Sequence, residues 1–126
     1  FIGSPGMSFF DGLINSDFDE LSVGKVTFGL QKYDFEDSNN IIKEVVLGVR
    51  PEDIFLSDQS NENSIECKVE LIEPMGADTL IWTNLNSKPL SIRIEGSSLF
   101  KLNDSININF NIERVSIFDK KTQERI

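Results

Sequence analysis

ININFNI, residues 106–112, alternates apolar and polar side chains without a break. Ile106, Ile108, Phe110 and Ile112 share one face, and Asn107, Asn109 and Asn111 share the other. Successive side chains of a strand point to opposite faces, so this pattern predicts a strand buried on one side. The same period recurs on either side of it. KVTFGLQ (25–31) aligns Val26, Phe28 and Leu30. IECKVEL (65–71) sends Ile65, Cys67, Val69 and Leu71 inward, and LSIRIEG (90–96) aligns Leu90, Ile92 and Ile94. VVLGV (45–49) and TLIWT (79–83) are short apolar runs, which predict more fully buried strands. VSIF (115–118) reads as a last short strand.

Turn-forming clusters separate these segments: EDSNN (36–40), SDQSNENS (57–64), NLNSK (84–88), EGSS (95–98) and LNDS (102–105). Helical periodicity is absent, apart from short turns expected near RPEDI (50–54) and SSLFKL (97–102). Many short strands spaced by turns predict an all-β fold, an antiparallel barrel or sandwich.

The 126 residues suffice for one core, and no apolar run approaches the roughly 20 residues of a membrane-spanning helix. Twenty-one acidic residues against 12 basic ones give a net charge of -9. That field repels a phosphate backbone and an anionic membrane surface, so neither nucleic acid nor direct lipid adhesion is expected. The single Cys excludes an internal disulfide. Without any His to activate it, Cys67 reads as a small buried apolar residue, and a lone reduced thiol fits a cytoplasmic setting.

The acidic clusters DFDE (17–20), EDSNN and RPEDI match no calcium loop and read as solvated faces. With no His and one Cys, the chain assembles neither a zinc site nor a nucleophilic triad. LSVGK (21–25) superficially resembles the LSGGQ loop of transporter ATPases, but it runs into a strand pattern and no phosphate-binding G-x-x-x-x-G-K-S/T occurs. Gly24 therefore reads as a turn residue.

Two stretches ask for more than a bland barrel. LGVRPEDI (47–54) gathers Gly48, Arg50, Pro51 and Glu52 at a strand end, where Pro51 forces Arg50 extended. IEPMGAD (72–78) places Glu73, Gly76 and Asp78 before the next strand. Barrel-corner architecture and a contact role both account for them.

These stretches, with FIGSPGM (1–7) before them and FNIERVSIFDKKTQERI (110–126) after, stand in an order that resembles one family. The resemblance is to the C-terminal end of the carbohydrate-importer ABC transporter ATPases of the MalK/UgpC type. Phe1, Ile2, Gly3, Ser4, Pro5 and Met7 resemble the lead out of the ATPase domain. Gly48, Arg50, Pro51 and Glu52 resemble its G-x-R-P-E, and Glu73, Gly76 and Asp78 the glycine turn that follows. Phe110, Glu113, Arg114, Val115, Phe118, Asp119 and Thr122 resemble the closing motif. Ser8, Asp53, Met75, Ser116 and Gln123 depart from the usual pattern.

The resemblance implies an OB-like barrel of the transport-associated (TOBE/MOP-like) kind. Residues 1–12 would be the junction from an absent ATPase domain, with Phe1, Gly3, Ser4 and Pro5 at the crossing, and 13–126 the regulatory barrel. Such a domain holds two ATPase subunits together, in a homodimer or pseudo-dimer, and in some members docks regulatory proteins. Candidate contacts are Gly48, Arg50, Pro51, Glu52, Glu73, Gly76, Asp78, Glu113 and Arg114. No catalysis or cofactor is expected in this chain, ATP and Mg belonging to the ATPase domain. Transporter membrane subunits would be partners through the parent, on the cytoplasmic face of the membrane. A small-ligand or oxyanion sensor, with backbone amides near Gly76 as the cradle, is the alternative.

Overall fold

A computed structural model describes residues 6–15, 17, 19–35, 44–57, 64–96 and 100–126. The expectations for Phe1, Gly3, Ser4 and Pro5, for EDSNN, for most of SDQSNENS and for the start of SSLFKL lie outside these residues.

Among the described residues eleven strands form three antiparallel sheets. β1 (Ser8–Ile14), β2 (Glu20–Val23), β3 (Val26–Gly29), β4 (Glu44–Val49) and β11 (Ser116–Asp119) make one sheet, in the order β11-β4-β1-β2-β3. β5 (Ile54–Ser57), β6 (Ile65–Lys68) and β10 (Ser105–Phe110) make the second, with β10 central. β7 (Leu71–Met75), β8 (Asp78–Leu85) and β9 (Lys88–Glu95) form a meander. The fold is all-β and antiparallel, as the strand spacing predicts, and OB-like, as the resemblance implies. The boundary expected after residue 12 falls inside β1, where Ser8 to Leu13 pair with Val49 to Glu44 of β4.

One core joins the sheets. Leu21, Val45, Leu47, Val69, Ile81, Leu90, Ile108 and Ile117 are fully buried. The Phe28 and Phe110 rings stack at 4.9 Å, tying the first sheet to the second. Tyr33, buried after β3, accepts a 3.1 Å hydrogen bond on its hydroxyl from the Ile117 amide. That contact brings the chain beyond one edge strand of the five-stranded sheet to the other edge.

The alternation of ININFNI holds through Phe110, with Ile112 half-buried beyond the strand. IECKVEL holds only to Val69, because Leu71 is 53% exposed. The Val69 amide donates to Asp104 beside β10, whereas the Glu70 amide donates to Trp82 of β8. The chain changes sheets between those two residues, and the inward parity is lost there. TLIWT also departs from expectation by alternating: Thr79, Ile81 and Thr83 point inward, while Leu80 and Trp82 are half-buried on the outer face. The buried threonines are satisfied, Thr79 Oγ1 donating to the Gly96 carbonyl at 2.7 Å and Thr83 Oγ1 to the Lys68 carbonyl at 2.8 Å.

The turns follow their residues. Gly24, at φ +60°, and Lys25 link β2 to β3. Asn86 and Ser87, both at positive φ, link β8 to β9, as a two-residue hairpin requires. RPEDI forms the expected short turn, a 3₁₀ turn over Pro51–Asp53, with Arg50 extended at φ -96°, ψ 154°.

Candidate functional site

The structure gathers the sequence-predicted residues into two neighbouring groups. The first is built on the 3₁₀ turn and the turn before β11. Asp53 is 3% exposed, and its Oδ1 accepts from Arg114 Nε at 3.0 Å. The Asp53 carbonyl accepts from the Asn111 amide, whose own carbonyl accepts from the Arg114 and Val115 amides. Arg114 thus anchors one turn on the other while most of its side chain stays in solvent. Glu52 and Glu113 are exposed beside this lock, and Arg50 and Pro51 are half-buried.

Gly48 belongs to the packing beneath this group. A Cβ there would lie 2.7 Å from Met7 Sδ, 3.1 Å from the Phe118 ring and 3.3 Å from the Phe9 ring. The absent side chain lets Met7, Phe9 and the Phe118 ring approach β4 closely.

The second group lies on the β7–β8–β9 meander. Glu73 Oε1 accepts from the Trp82 indole N–H at 3.0 Å. Asp78 faces Arg93 across a loose ion pair of 3.9 Å. Gly76, at φ +82°, forms the exposed β7–β8 turn with nothing within 4 Å of a built Cβ. Gly76 and Ala77 are exposed, and the Ala77 carbonyl accepts from the Gly96 amide.

Between the groups runs a cleft of about 480 Å³. Met7 and Phe9 form one wall with Pro51; Leu80, Trp82 and Arg93 form the other. Lys88 closes one end, its Nζ 3.5 Å from the Phe9 carbonyl. Pattern reading singles out neither the cleft nor Trp82, Lys88 and Arg93. A parity count along β8 would have placed Leu80 and Trp82 opposite Ile81, but the facing wall comes from chain far away in sequence.

Cys67 is buried on β6, and burial pushes its thiol up from the ordinary value of 9.0. Glu66 adds to the rise, and a Thr83 hydrogen bond opposes it. An un-ionised buried thiol is a poor nucleophile. Among the described residues, no group of His, Cys, Asp or Glu could hold a metal ion, and no helix is long and apolar enough to cross a membrane.

Comparison with known proteins places this geometry. Residues 47–118 match the TOBE domain, and residues 3–54 match the MalK OB fold domain. Over 98% of its length the chain is 31% identical to an uncharacterized ABC transporter ATP-binding protein, YcjV, of Escherichia coli O157:H7. It is 28% identical to the oligosaccharides import ATP-binding protein MsmX of Bacillus subtilis, and 25% identical to the multiple sugar-binding transport ATP-binding protein MsmK of Streptococcus mutans. Both alignments cover the whole chain. The chain spans about a third of the length of these relatives, 34 to 36%. The crystal structure of the cytoplasmic molybdate-binding protein ModG with molybdate bound superposes with a TM-score of 0.66 at 12% identity. The match covers 92% of this chain and 98% of that one, and it shows a shared fold.

Proposed function

Because this chain belongs to the TOBE domain family, we propose that it is the regulatory and dimerisation domain of the ATP-binding subunit of a bacterial importer of sugars or glycerol-3-phosphate. The observation that carries the reading is coverage. Two overlapping domain matches together run from residue 3 to 118, and sugar-import ATP-binding proteins align over the whole chain. In this reading the barrel pairs two ATP-binding subunits while their nucleotide domains open and close, and it offers a surface to regulatory proteins. ATP and Mg are handled by the nucleotide domain, and this chain performs no catalysis. The subunit works in the cytoplasm, on the inner face of the membrane, through the transporter's membrane subunits.

The geometry supports a mechanical part. The Arg114–Asp53 pair fastens the 3₁₀ turn to the turn before β11, and one core links all three sheets. A rigid body of this kind keeps its contacts while attached domains move. The test is an ATPase assay on the purified chain beside a measurement of its self-association. Turnover above the buffer rate overturns the reading.

A second reading, an oxyanion-sensing barrel, is favoured by the fold shared with ModG, whose structure holds molybdate. Its candidate cradle is the backbone of the exposed β7–β8 turn at Gly76, which stands at φ +82°. Calorimetry with molybdate, sulfate, phosphate and sugar phosphates separates the two, and heat from any of them favours the sensor.

A further inference from the structure

We infer that two copies of this chain join edge to edge through β3, antiparallel and about a two-fold axis at Phe28, so that their five-stranded sheets run on as one. The inference deepens the pairing of ATP-binding subunits proposed above and rests on that reading for the identity of the occupant.

Backbone direction carries the first part. Glu20 lies opposite Gly29 in the β2–β3 register. The Glu20 carbonyl accepts from the Asn15 amide, and the Glu20 amide donates to Asn15 Oδ1, so both groups face β1. Gly29 therefore turns its amide and carbonyl away from β2, and Thr27 on the same strand does likewise. β3 ends the sheet order, and among the described residues no strand or turn bonds these outward groups. Thr27 is exposed and Gly29 half-buried. The opposite edge of the same sheet is closed. On β11 the Ile117 amide donates to the Tyr33 hydroxyl, and the Ile117 carbonyl accepts from the Ile126 amide. The Asp119 amide donates to the Glu124 carbonyl, and the Asp119 carbonyl accepts from the Gln123 amide. The edge strands of the meander carry Pro74 and Pro89, which have no amide to donate. β3 has no such device, and a bare strand edge is a template for another strand.

Self-complementarity carries the second part. With the axis at Phe28, Thr27 exchanges both hydrogen bonds with the partner's Gly29, and Gly29 does so with the partner's Thr27. Lys25 then lies opposite the partner's Gln31, so no like charges meet along the seam. KVTFGLQ (25–31) holds no carboxylate in a chain of 21 acidic residues, so two negative molecules meet where neither is acidic. The sheet has one open edge, which is used up when two copies join, and the assembly closes at a pair. A four-residue strand adds little ladder, so the isolated chain should associate weakly, at a roughly millimolar dissociation constant. Attachment to paired nucleotide domains would raise the effective concentration of the edges.

The experiment follows amide exchange and chemical shifts of the 126-residue chain by NMR from micromolar to millimolar concentration. The Thr27 and Gly29 amides should exchange freely in dilute solution and gain protection as concentration rises. The Phe28 amide between them, bonded within the sheet, should be protected throughout. Thr27→Pro removes an outward donor from each copy and should weaken association at least about fivefold. Thr27→Lys keeps the backbone intact and sets two cations on Cα atoms about 9 Å apart across the axis. It should weaken association in low salt and recover in high salt. An unchanged urea midpoint confirms that the variants fold, and Thr27→Lys stands alone if the proline variant does not. The inference is overturned if the chain stays monomeric, or if it associates while the Thr27 and Gly29 amides stay unprotected. It is also overturned if Thr27→Lys pairs equally well at every salt concentration, or if assembly continues beyond a pair. Association by another surface would leave the pairing of subunits standing, and deletion of the whole domain from the full-length subunit tests that reading separately.

Discussion

Arg114 Nε stands 3.0 Å from Oδ1 of Asp53 and so joins two turns 61 residues apart in sequence. The pair is unequal: Asp53 is 3% exposed, while the Arg114 side chain is 65% exposed. The carboxylate has left water and needs a partner, whereas the guanidinium does not. Removing Arg114 therefore strands a buried charge. Arg114→Met should lower stability by about 1–3 kcal/mol, and Asp53→Asn with Arg114→Met should recover part of that loss. Urea unfolding of the two single variants and the double variant measures both. Strict additivity would show that the pair is not coupled.

The β2–β3 turn abuts the β8–β9 turn. A Cβ on Gly24 would lie 2.7 Å from Asn86 Oδ1, and Gly24 sits at φ +60°. Gly24→Ala meets both a clash and left-handed strain, and should cost about 1–3 kcal/mol. Adding Asn86→Gly removes the clash and leaves only the strain. Thermal melts of the two variants should differ in that direction.

On the outer face of β10, the amide oxygens of Asn107 and Asn109 are buried with no hydrogen-bond partner among the described residues. An unsatisfied buried oxygen opposes folding, and Val favours a strand more than Asn does. Asn109→Val should leave stability unchanged or raise it by about 0.5–2 kcal/mol. A drop in the urea midpoint would show that the oxygen has a partner after all.

Cys67 makes stability fall in alkali. Its thiol is raised above the ordinary 9.0 in the folded chain, so the unfolded chain ionises first as pH climbs. The stability that the neutral thiol contributes is whole below about pH 8. It is lost as pH rises from the unfolded value through the folded one. The difference in unfolding free energy between the native chain and Cys67→Val should be flat below about pH 8 and shrink above it. The native thiol should also react slowly with a soluble disulfide reagent until the chain unfolds.

The core was legible because a half-buried strand writes its period into the chain. ININFNI and IECKV show it plainly, and so do the turn residues Gly24 and Asn86. Leu71 was not legible: the change of sheet between Val69 and Glu70 is a long-range event, and a run of good parity gives no sign of it. Tyr33 closes the five-stranded sheet from QKYDF, a stretch without alternation. The Arg50–Asp53 turn followed from Pro51, but its lock to Arg114 required knowing that the two turns meet. The cleft is the least legible feature. Its walls come from three distant segments, and each looks ordinary alone.

The central claim is that this barrel pairs ATP-binding subunits. Its most direct test is sedimentation equilibrium of the full-length subunit that carries this chain, with and without these residues, under nucleotide-free conditions. The account predicts that deletion weakens dimerisation by about tenfold or more, roughly 1.4 kcal/mol, while ATP binding by the remaining part persists. An unchanged dimer affinity in a deletion variant that still binds ATP would contradict it.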